Sequence, residues 1–275
     1  MSKPVAIITG AAGGMGTATA LRFAENYNLV LADVSEERLA ALEKRLLQKG
    51  VSVEAQVVDV SEKKDIDRLA EAARHAGDLK ALAHTAGISP GMGTPERLVE
   101  VNLIGTALLL EALQAQMTDG AAAVCIASMG AYIYQPYVTP ELNSLIEDPL
   151  QPEFLTKLKQ MVGDEAFEQN AYSISKTGVQ LLVQKYAGIL GQNNARINSL
   201  SPGIIDTPMT RLDMPPGSPL DLAVKASPAG REGVADEIAT TIGFLCSADS
   251  SYITGIDVLV DGGATRVAIS QLGML

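Results

Sequence analysis

Tyr172 and Lys176, in Tyr172-Ser173-Ile174-Ser175-Lys176, put a phenol and an ammonium on one helix face, about one turn apart. A phenol with a pKa near 10 is a poor base at neutral pH. A cation about 4 Å away, in an effective dielectric near 20, contributes up to roughly 4 kcal/mol, or about three pKa units as an upper bound. Tyr172 then becomes a usable general acid/base. Such pairs arise often on helix surfaces, so the spacing needs company. Ser128 offers a hydroxyl at the end of an expected strand, where it could hold a carbonyl oxygen; taken alone, a serine there more often caps the next segment. Asn102, in Val101-Asn102-Leu103-Ile104-Gly105-Thr106, is a polar residue inside an apolar helical pattern. By itself that pattern signals a structural hydrogen bond or a kink.

A second group of residues has the chemistry of a dinucleotide cradle. Thr9-Gly10-Ala11-Ala12-Gly13-Gly14-Met15-Gly16 follows an apolar strand and opens a helix. Glycines let the backbone approach a pyrophosphate, and a helix N-terminus offers free N–H groups and a positive dipole end. The spacing is G-x-x-x-G-x-G, which departs from G-x-G-x-x-G because Thr19 stands three residues after Gly16. Asp33, 17 residues after Gly16 and followed by Val34, is placed to accept hydrogen bonds from the adenosine ribose hydroxyls. The same carboxylate would repel a 2′-phosphate, and no Lys or Arg lies in Gly10–Gly16 or directly after Asp33. This favours NAD over NADP. Further candidates close later strands: Asp59-Val60 where an adenine would lie, Thr85-Ala86-Gly87, and Pro202-Gly203-Ile204-Ile205-Asp206-Thr207-Pro208.

These residues share one edge only if strands and helices alternate, and they do. Apolar runs at Val5–Ile8, Leu29–Asp33, Val53–Val58, Leu79–His84, Ala122–Ala127, Arg196–Leu200 and Asp257–Val260 read as seven strands. Helical patterns between them run through about Glu25, from Ser35 to Lys49, from Ser61 to His75, from Pro95 to Met117, from Ala171 to Leu190 and from Val234 to Leu245. The predicted fold is α/β: a doubly wound Rossmann fold with a seven-stranded parallel sheet flanked by helices, one domain over 1–275. One segment breaks the rhythm: 43 residues separate Ser128 from Tyr172, and residues 133–170 read as a helical insertion, a lid or an interface element. Pro152 suits a first helical position ahead of the one-face pattern Phe154, Leu155, Leu158, Met161 and Val162.

Composition narrows the partners. A net charge of −11 disfavours nucleic acid and anionic membrane, and seven acids against two lysines between Thr139 and Asn170 supply nearly half of it. Cys125 and Cys246 form no disulfide framework, and His75 and His84 sit in no cluster with ligand spacing, so no metal is expected. The sequence shows neither a signal-peptide pattern nor an 18-residue apolar span, and the expected setting is cytoplasmic.

From the glycine turn to Ile253-Thr254-Gly255-Ile256-Asp257-Val258-Leu259-Val260-Asp261-Gly262-Gly263, the chain resembles the short-chain dehydrogenase/reductase family, the branch with T-G-x-x-x-G-x-G and Y-x-x-x-K. The resemblance implies a catalytic tetrad of Asn102, Ser128, Tyr172 and Lys176. It also implies ribose contacts from Asp33 and Lys176, adenine contacts from Asp59 and Val60, and nicotinamide contacts from Ile205 and Thr207. Two departures stand out: His84 replaces the usual first Asn of the strand-four motif, and the Ser–Tyr gap is long. The expected activity is hydride exchange between NAD and a secondary alcohol or ketone. The alternatives are an NADPH-dependent 3-oxoacyl or carbonyl reductase and a non-catalytic NAD-binding sensor or scaffold. Met129, Tyr132, Ile133, Tyr134, Tyr137, Ile204, Met209, Leu212, Met214 and Leu220 are expected to face the cleft; Met129, Tyr134, Ile204 and Met209 are taken with Ser128 as substrate contacts. Few charges lie among them, which suggests an apolar, cyclic substrate such as a steroid or terpenoid. The resemblance further implies a homo-oligomer, dimer or tetramer, assembled through the helices at 96–117 and 171–190, where Gly178, Ala187 and Gly188 permit close packing.

Overall fold

The computed structural model describes residues 3–271. Nine strands occur in chain order: β1 (Val5–Thr9), β2 (Asn28–Asp33), β3 (Val53–Val57), β4 (Leu79–His84), β5 (Ala122–Ile126), β6 (Arg196–Pro202), β7 (Ile205–Asp206), β8 (Gly233–Val234) and β9 (Asp257–Val260). Seven of them form one parallel sheet in the order β3-β2-β1-β4-β5-β6-β9. β1 and β5 are buried along their whole length, as strands covered on both faces must be. The order reverses beside β1, where β4 pairs on the side opposite β2, and that switch point opens a crevice at the carboxyl edge. The unforeseen β7 and β8 pair with each other as a small parallel ribbon.

Helices α1 (Gly14–Phe23) and α2 (Glu36–Leu47) cover one sheet face, and α3 (Lys63–Ala76), α4 (Pro95–Val99) and α5 (Gly105–Leu113) the other. The helix expected from Pro95 to Met117 is broken: Thr94 accepts from the Arg97 N–H to start α4, and one π-type turn, Glu100–Ile104, separates α4 from α5. Asn102 sits in that turn, so its polarity marks both a hydrogen bond and an irregularity of the helix. Ser35 stands at the N-cap of α2, but its hydroxyl accepts from the Arg38 guanidinium instead of from the backbone; the helix expected from Ser61 begins at Lys63, and the Ser61 hydroxyl is donated to Asp59.

After β5 come α6 (Met129–Tyr134), α7 (Pro140–Ile146), α8 (Phe154–Val162) and α9 (Asp164–Gly191). Pro152 lies outside α8, whose approach is set by Glu153 in a left-handed conformation. α9 starts seven residues before the expected Ala171, its first turn carrying Asp164 and Glu165 at the positive dipole end. The insertion turns its apolar face into the body of the domain. Leu142, Leu145, Ile146, Phe154, Leu158 and Phe167 are all buried in the core that contains α5 and α9. Lys159 pairs with Glu96 of α4 and stands over the Phe167 ring, and Lys185 donates to the Glu147 carbonyl. α9 is buried without a break from Ile174 to Val183, chiefly against α4, α6, β6 and the Glu100–Ile104 turn, and Gly178 packs against Leu103 of that turn. Gly178 is thus covered from within, whereas Ala187 is half-buried and Gly188 is exposed, with open space where a Cβ would stand.

The chain closes with α10 (Pro208–Asp213), α11 (Pro219–Ala226), α12 (Ala235–Cys246) and α13 (Ala264–Gln271). α12 packs on α1, whereas α13 rests on α6 and α11. No helix among the described residues is long and apolar enough to cross a membrane.

Candidate active site

The glycine turn lies against the end of β4. Gly10 adopts φ +64°, and a Cβ there would come within 2.7 Å of Ala86 Cα; Thr85 seals the contact by donating its hydroxyl to the Thr9 carbonyl at 2.7 Å. At Gly16 a Cβ would collide with the Gly10 carbonyl, and at Gly14 it would meet Thr207 Cγ2 at 2.8 Å. Gly13 caps α1 without a side chain, so the first-turn N–H groups of Gly14, Met15 and Gly16 point at the crevice with no side-chain partner. Asp33, buried at the end of β2, accepts from the Ala12 N–H through Oδ2 and from the Ser35 N–H through Oδ1, both at 2.9 Å. The remaining lone pairs face where ribose hydroxyls would arrive, beside the exposed Val34. This cradle fits a nicotinamide dinucleotide.

The adenine rim is more occupied than the sequence suggested. Asp59 Oδ1 accepts from the Ser61 N–H and hydroxyl, and Oδ2 from the Arg97 guanidinium. Burial works to raise the Asp59 pKa, but the hydrogen bonds from Ser61 and Arg97 outweigh it and hold the carboxyl below its ordinary value. Val60 is buried against Gly105, where a Cβ would lie 2.9 Å from Val60 Cγ2.

At the centre the four residues of the implied tetrad do converge. Gly87 shows it: a Cβ there would sit 2.9 Å from Asn102 Oδ1 and 3.2 Å from Lys176 Nζ. Asn102 grips the Ile88 backbone in both directions, accepting its N–H at 2.9 Å and donating to its carbonyl at 3.0 Å. Ser128 caps α6 by accepting from the Gly130 N–H, and its hydroxyl also hydrogen-bonds the Tyr172 phenol. Gly130 makes room for the Tyr172 ring, whose Cε1 would be 3.7 Å from a Cβ. Lys176 is buried, donates to the Ile126 carbonyl at 2.9 Å, and holds Nζ 6.0 Å from the Tyr172 ring centre.

The charge relation inside this group departs from expectation. Burial of its hydroxyl raises the Tyr172 pKa above 10; the Ser128 hydrogen bond opposes this, and the Asp213 carboxylate adds to it. Burial also lowers Lys176 to about 8. The ammonium is turned toward Ile126 and does not act on the phenol as a 4 Å neighbour would, so Tyr172 is a proton donor in this state.

His84 is a satisfied core residue. Its Nδ1 meets the Thr9 hydroxyl at 2.6 Å and its Nε2 the Thr106 hydroxyl at 2.8 Å; Thr106 in turn donates to the Asn102 carbonyl. With the Thr106 proton committed, Nε2 carries the imidazole hydrogen and Nδ1 accepts from Thr9. Burial, aided by the charge of Lys176, pushes the His84 pKa down to about 3.

Beyond β6, Pro202 pairs in the sheet and Gly203 approaches Asp261 so closely that a Cβ would lie 2.6 Å from its Cα. Ile205 turns its side chain into the core, and the Thr207 hydroxyl is engaged in capping α10, accepting from the Thr210 N–H. Met129, Ile204 and Ala264 form a small apolar cluster with Ile133, Met214, Leu220 and Leu259. Met209 is half-buried on α10 outside this cluster. Tyr134 packs in the core shared with the insertion, Tyr132 donates to Asp257 Oδ2 at 2.7 Å, and Tyr137 and Leu212 are exposed, so these four do not join the apolar cluster of the cleft. The sequence reading missed α13, which supplies Ala264, and missed Asp213, a carboxylate between Leu212 and Met214 whose isolation among apolar neighbours was its only signal.

Comparison with known proteins agrees with this arrangement. Residues 4–139 match the family described as short chain dehydrogenase, and residues 158–265 the one described as enoyl-(acyl carrier protein) reductase. The chain is 33% identical to the short-chain dehydrogenase/reductase bsc3 of Alternaria brassicicola, with 96% of each covered. It is 30% identical to the 3-oxoacyl-[acyl-carrier-protein] reductase FabG of Thermotoga maritima, over 94% of this chain and 96% of the relative. Among solved structures, levodione reductase superposes with a TM-score of 0.76 at 28% identity, covering 97% of this chain and 99% of that one. With its sheet order, glycine cradle and converging tetrad, the chain belongs to the short-chain dehydrogenase/reductase family of oxidoreductases.

Proposed function

We propose that this protein is an NAD-dependent oxidoreductase of secondary alcohols and ketones, with a neutral, largely apolar and cyclic substrate of the hydroxysteroid or terpenoid kind. The observation that carries the choice of NAD is Asp33: its carboxylate is fixed by two backbone N–H groups, neither Val34 nor Ser35 directly after it is a Lys or Arg, and Arg38 is engaged with the Ser35 hydroxyl. The apolar cluster around Met129 and Ile204 supports the substrate class. When bound, the nicotinamide accepts or delivers the hydride.

The residues do the rest. Ser128 holds the substrate oxygen beside the phenol, and Tyr172 moves the proton at Oη, as acid toward a ketone and as base toward an alcohol. Lys176, buried and near its own midpoint at about pH 8, supplies a donor for the ribose and a charge whose approach to the phenol would ease its ionisation. Asn102 fixes the Gly87-Ile88 backbone under the site, and Thr85, Ala86, Pro202, Gly203, Ile205 and Thr207 shape the nicotinamide end of the crevice.

Tyr172→Phe tests the reading. Turnover should fall by more than about a thousandfold while NAD affinity, read by fluorescence titration, stays within about twofold. Retained turnover removes the assignment. The ratio of kcat/KM for NAD over NADP should be roughly a hundred. A ratio below one would favour the second reading, an NADPH-dependent 3-oxoacyl or carbonyl reductase, which the Thermotoga maritima relative brings forward. NAD binding with no turnover over a broad alcohol panel would favour a non-catalytic sensor.

A further inference from the structure

The flap formed by residues 207–227 meets the loop after β4 at one polar contact. Gly91, in the short turn Pro90–Met92, donates its N–H to Asp213 Oδ1 at 2.8 Å. The contact is fitted to glycine, since a Cβ on Gly91 would lie 2.6 Å from that oxygen. Among the described residues the Gly91 N–H is the one hydrogen-bond donor on this carboxylate, and it takes Oδ1, leaving Oδ2 open. Arg211, two residues before Asp213, is committed elsewhere, paired with Asp206. The flap itself is thinly anchored, for neither α10 nor α11 buries a residue. An unpaired negative charge is therefore held by a purpose-fitted turn at the rim of an otherwise apolar cleft.

We propose that Asp213 determines substrate specificity, excluding anionic substrates and favouring neutral ones that carry a second hydroxyl beside the reacting carbon. This deepens the reading above and rests on it. A carboxylate oxygen left without a donor gains a charge-assisted hydrogen bond when a substrate hydroxyl reaches it. A substrate carboxylate or phosphate in the same place meets uncompensated repulsion. The charge is also felt at the reacting centre. Tyr172 is faced by the Ser128 hydroxyl from the end of β5, by Lys176 one turn along α9, and by Asp213 from the flap, with His84 neutral behind Lys176. Of these, Asp213 is the one negative charge, and it works to keep the phenol protonated.

Asp213→Asn keeps an acceptor for Gly91 and removes only the charge, so the flap contact and the fold are retained. Wild type and variant are compared with NAD on cyclohexanol, trans-cyclohexane-1,2-diol and 3-hydroxybutyrate. The diol-to-cyclohexanol ratio of kcat/KM should fall about tenfold in the variant, and the hydroxybutyrate-to-cyclohexanol ratio should rise about tenfold. Independently of turnover, the Tyr172 ring resonance in tyrosine-labelled protein, identified by its loss in Tyr172→Phe, should titrate at lower pH in Asp213→Asn. Unchanged ratios overturn the specificity role, and an unmoved titration overturns the placement of the charge at the site. If wild type turns over none of the three while the titration does move, the reading of the reaction fails and the substrate preference falls with it.

Discussion

Two segments interrupt the alternation of strand and helix, and they are built in opposite ways. The insertion at 133–170 sends Leu142, Leu145, Ile146, Phe154, Leu158 and Phe167 into the core against α9. The flap at 207–227 has two helices with no fully buried residue; it is held by the buried Thr207 and Ser227 at its ends and by the partly buried Met214, Leu220, Ala223 and Val224 between them. Its length and acidity single out the insertion in the sequence, as a lid or an interface element. We place specificity instead in the shorter and less charged flap, which holds Asp213 against Gly91 and adds Met214 and Leu220 to the apolar cluster. The five excess acids between Thr139 and Asn170 solvate the outside of a structural wall. A long insertion is thus no guide to specificity until its apolar face is traced to its partner.

The largest expected effect breaks the comparison if it is wrong. Phe167→Ala removes a side chain that is 1% exposed and should cost about 3–5 kcal/mol in urea denaturation. The matching change in the flap, Leu222→Ala at 57% exposure, should stay within about 0.5 kcal/mol. A loss under about 1 kcal/mol for Phe167→Ala would return the insertion to the status of a lid. The same pair read at the active site should invert, the surviving Phe167→Ala enzyme keeping its KM and the flap variant changing it.

The sheet interior gives a second, smaller expectation that neither segment shares. His84 has its pKa lowered to about 3 by burial, whereas in the unfolded chain it returns to the ordinary value near 6.5. Between those values the unfolded state binds the proton and the native state does not, so stability falls as pH falls. By pH 5 the loss from this one group is about 2 kcal/mol, at 1.36 kcal/mol per unit. Urea midpoints at pH 7 and pH 5 should show it, and His84→Asn should flatten the difference. An acid loss of the same size in the variant would assign it to other groups.

What the sequence made legible follows from how each feature is encoded. Strands such as Val5–Thr9 and Ala122–Ile126 are continuous apolar runs, and Asp257–Val260 was located residue for residue. Of the tetrad implied by the family resemblance, only the Tyr172–Lys176 pair has a local spacing; Asn102 and Ser128 are brought beside it by the carboxyl edge of the sheet. The misses have tertiary causes. The π-type turn at Asn102 sits where its side chain grips Ile88, 14 residues away; the state of Tyr172 depends on Lys176 turning to Ile126 and on Asp213; Tyr132 of α6 is claimed by Asp257 of β9. Helix α9 began early because Phe167 and Ala171 continue a face whose partner is the insertion itself, a contact that no spacing within α9 reveals.

The smallest effect is the one that separates flap from insertion most cleanly. Gly91→Ala places a methyl 2.6 Å from Asp213 Oδ1, and since Gly91 does not hold a positive φ, the change strains no backbone. The flap must give instead, at a contact where α10 has no buried residue to resist it. Folding stability should remain within about 0.5 kcal/mol of wild type, as for other exposed positions. KM should rise about threefold to tenfold with kcat little changed, because the methyl weakens a contact made equally in the ground and transition states. Loss of stability with KM unchanged would mean that the flap is braced by packing, as the insertion is, and the contrast between the two segments would collapse.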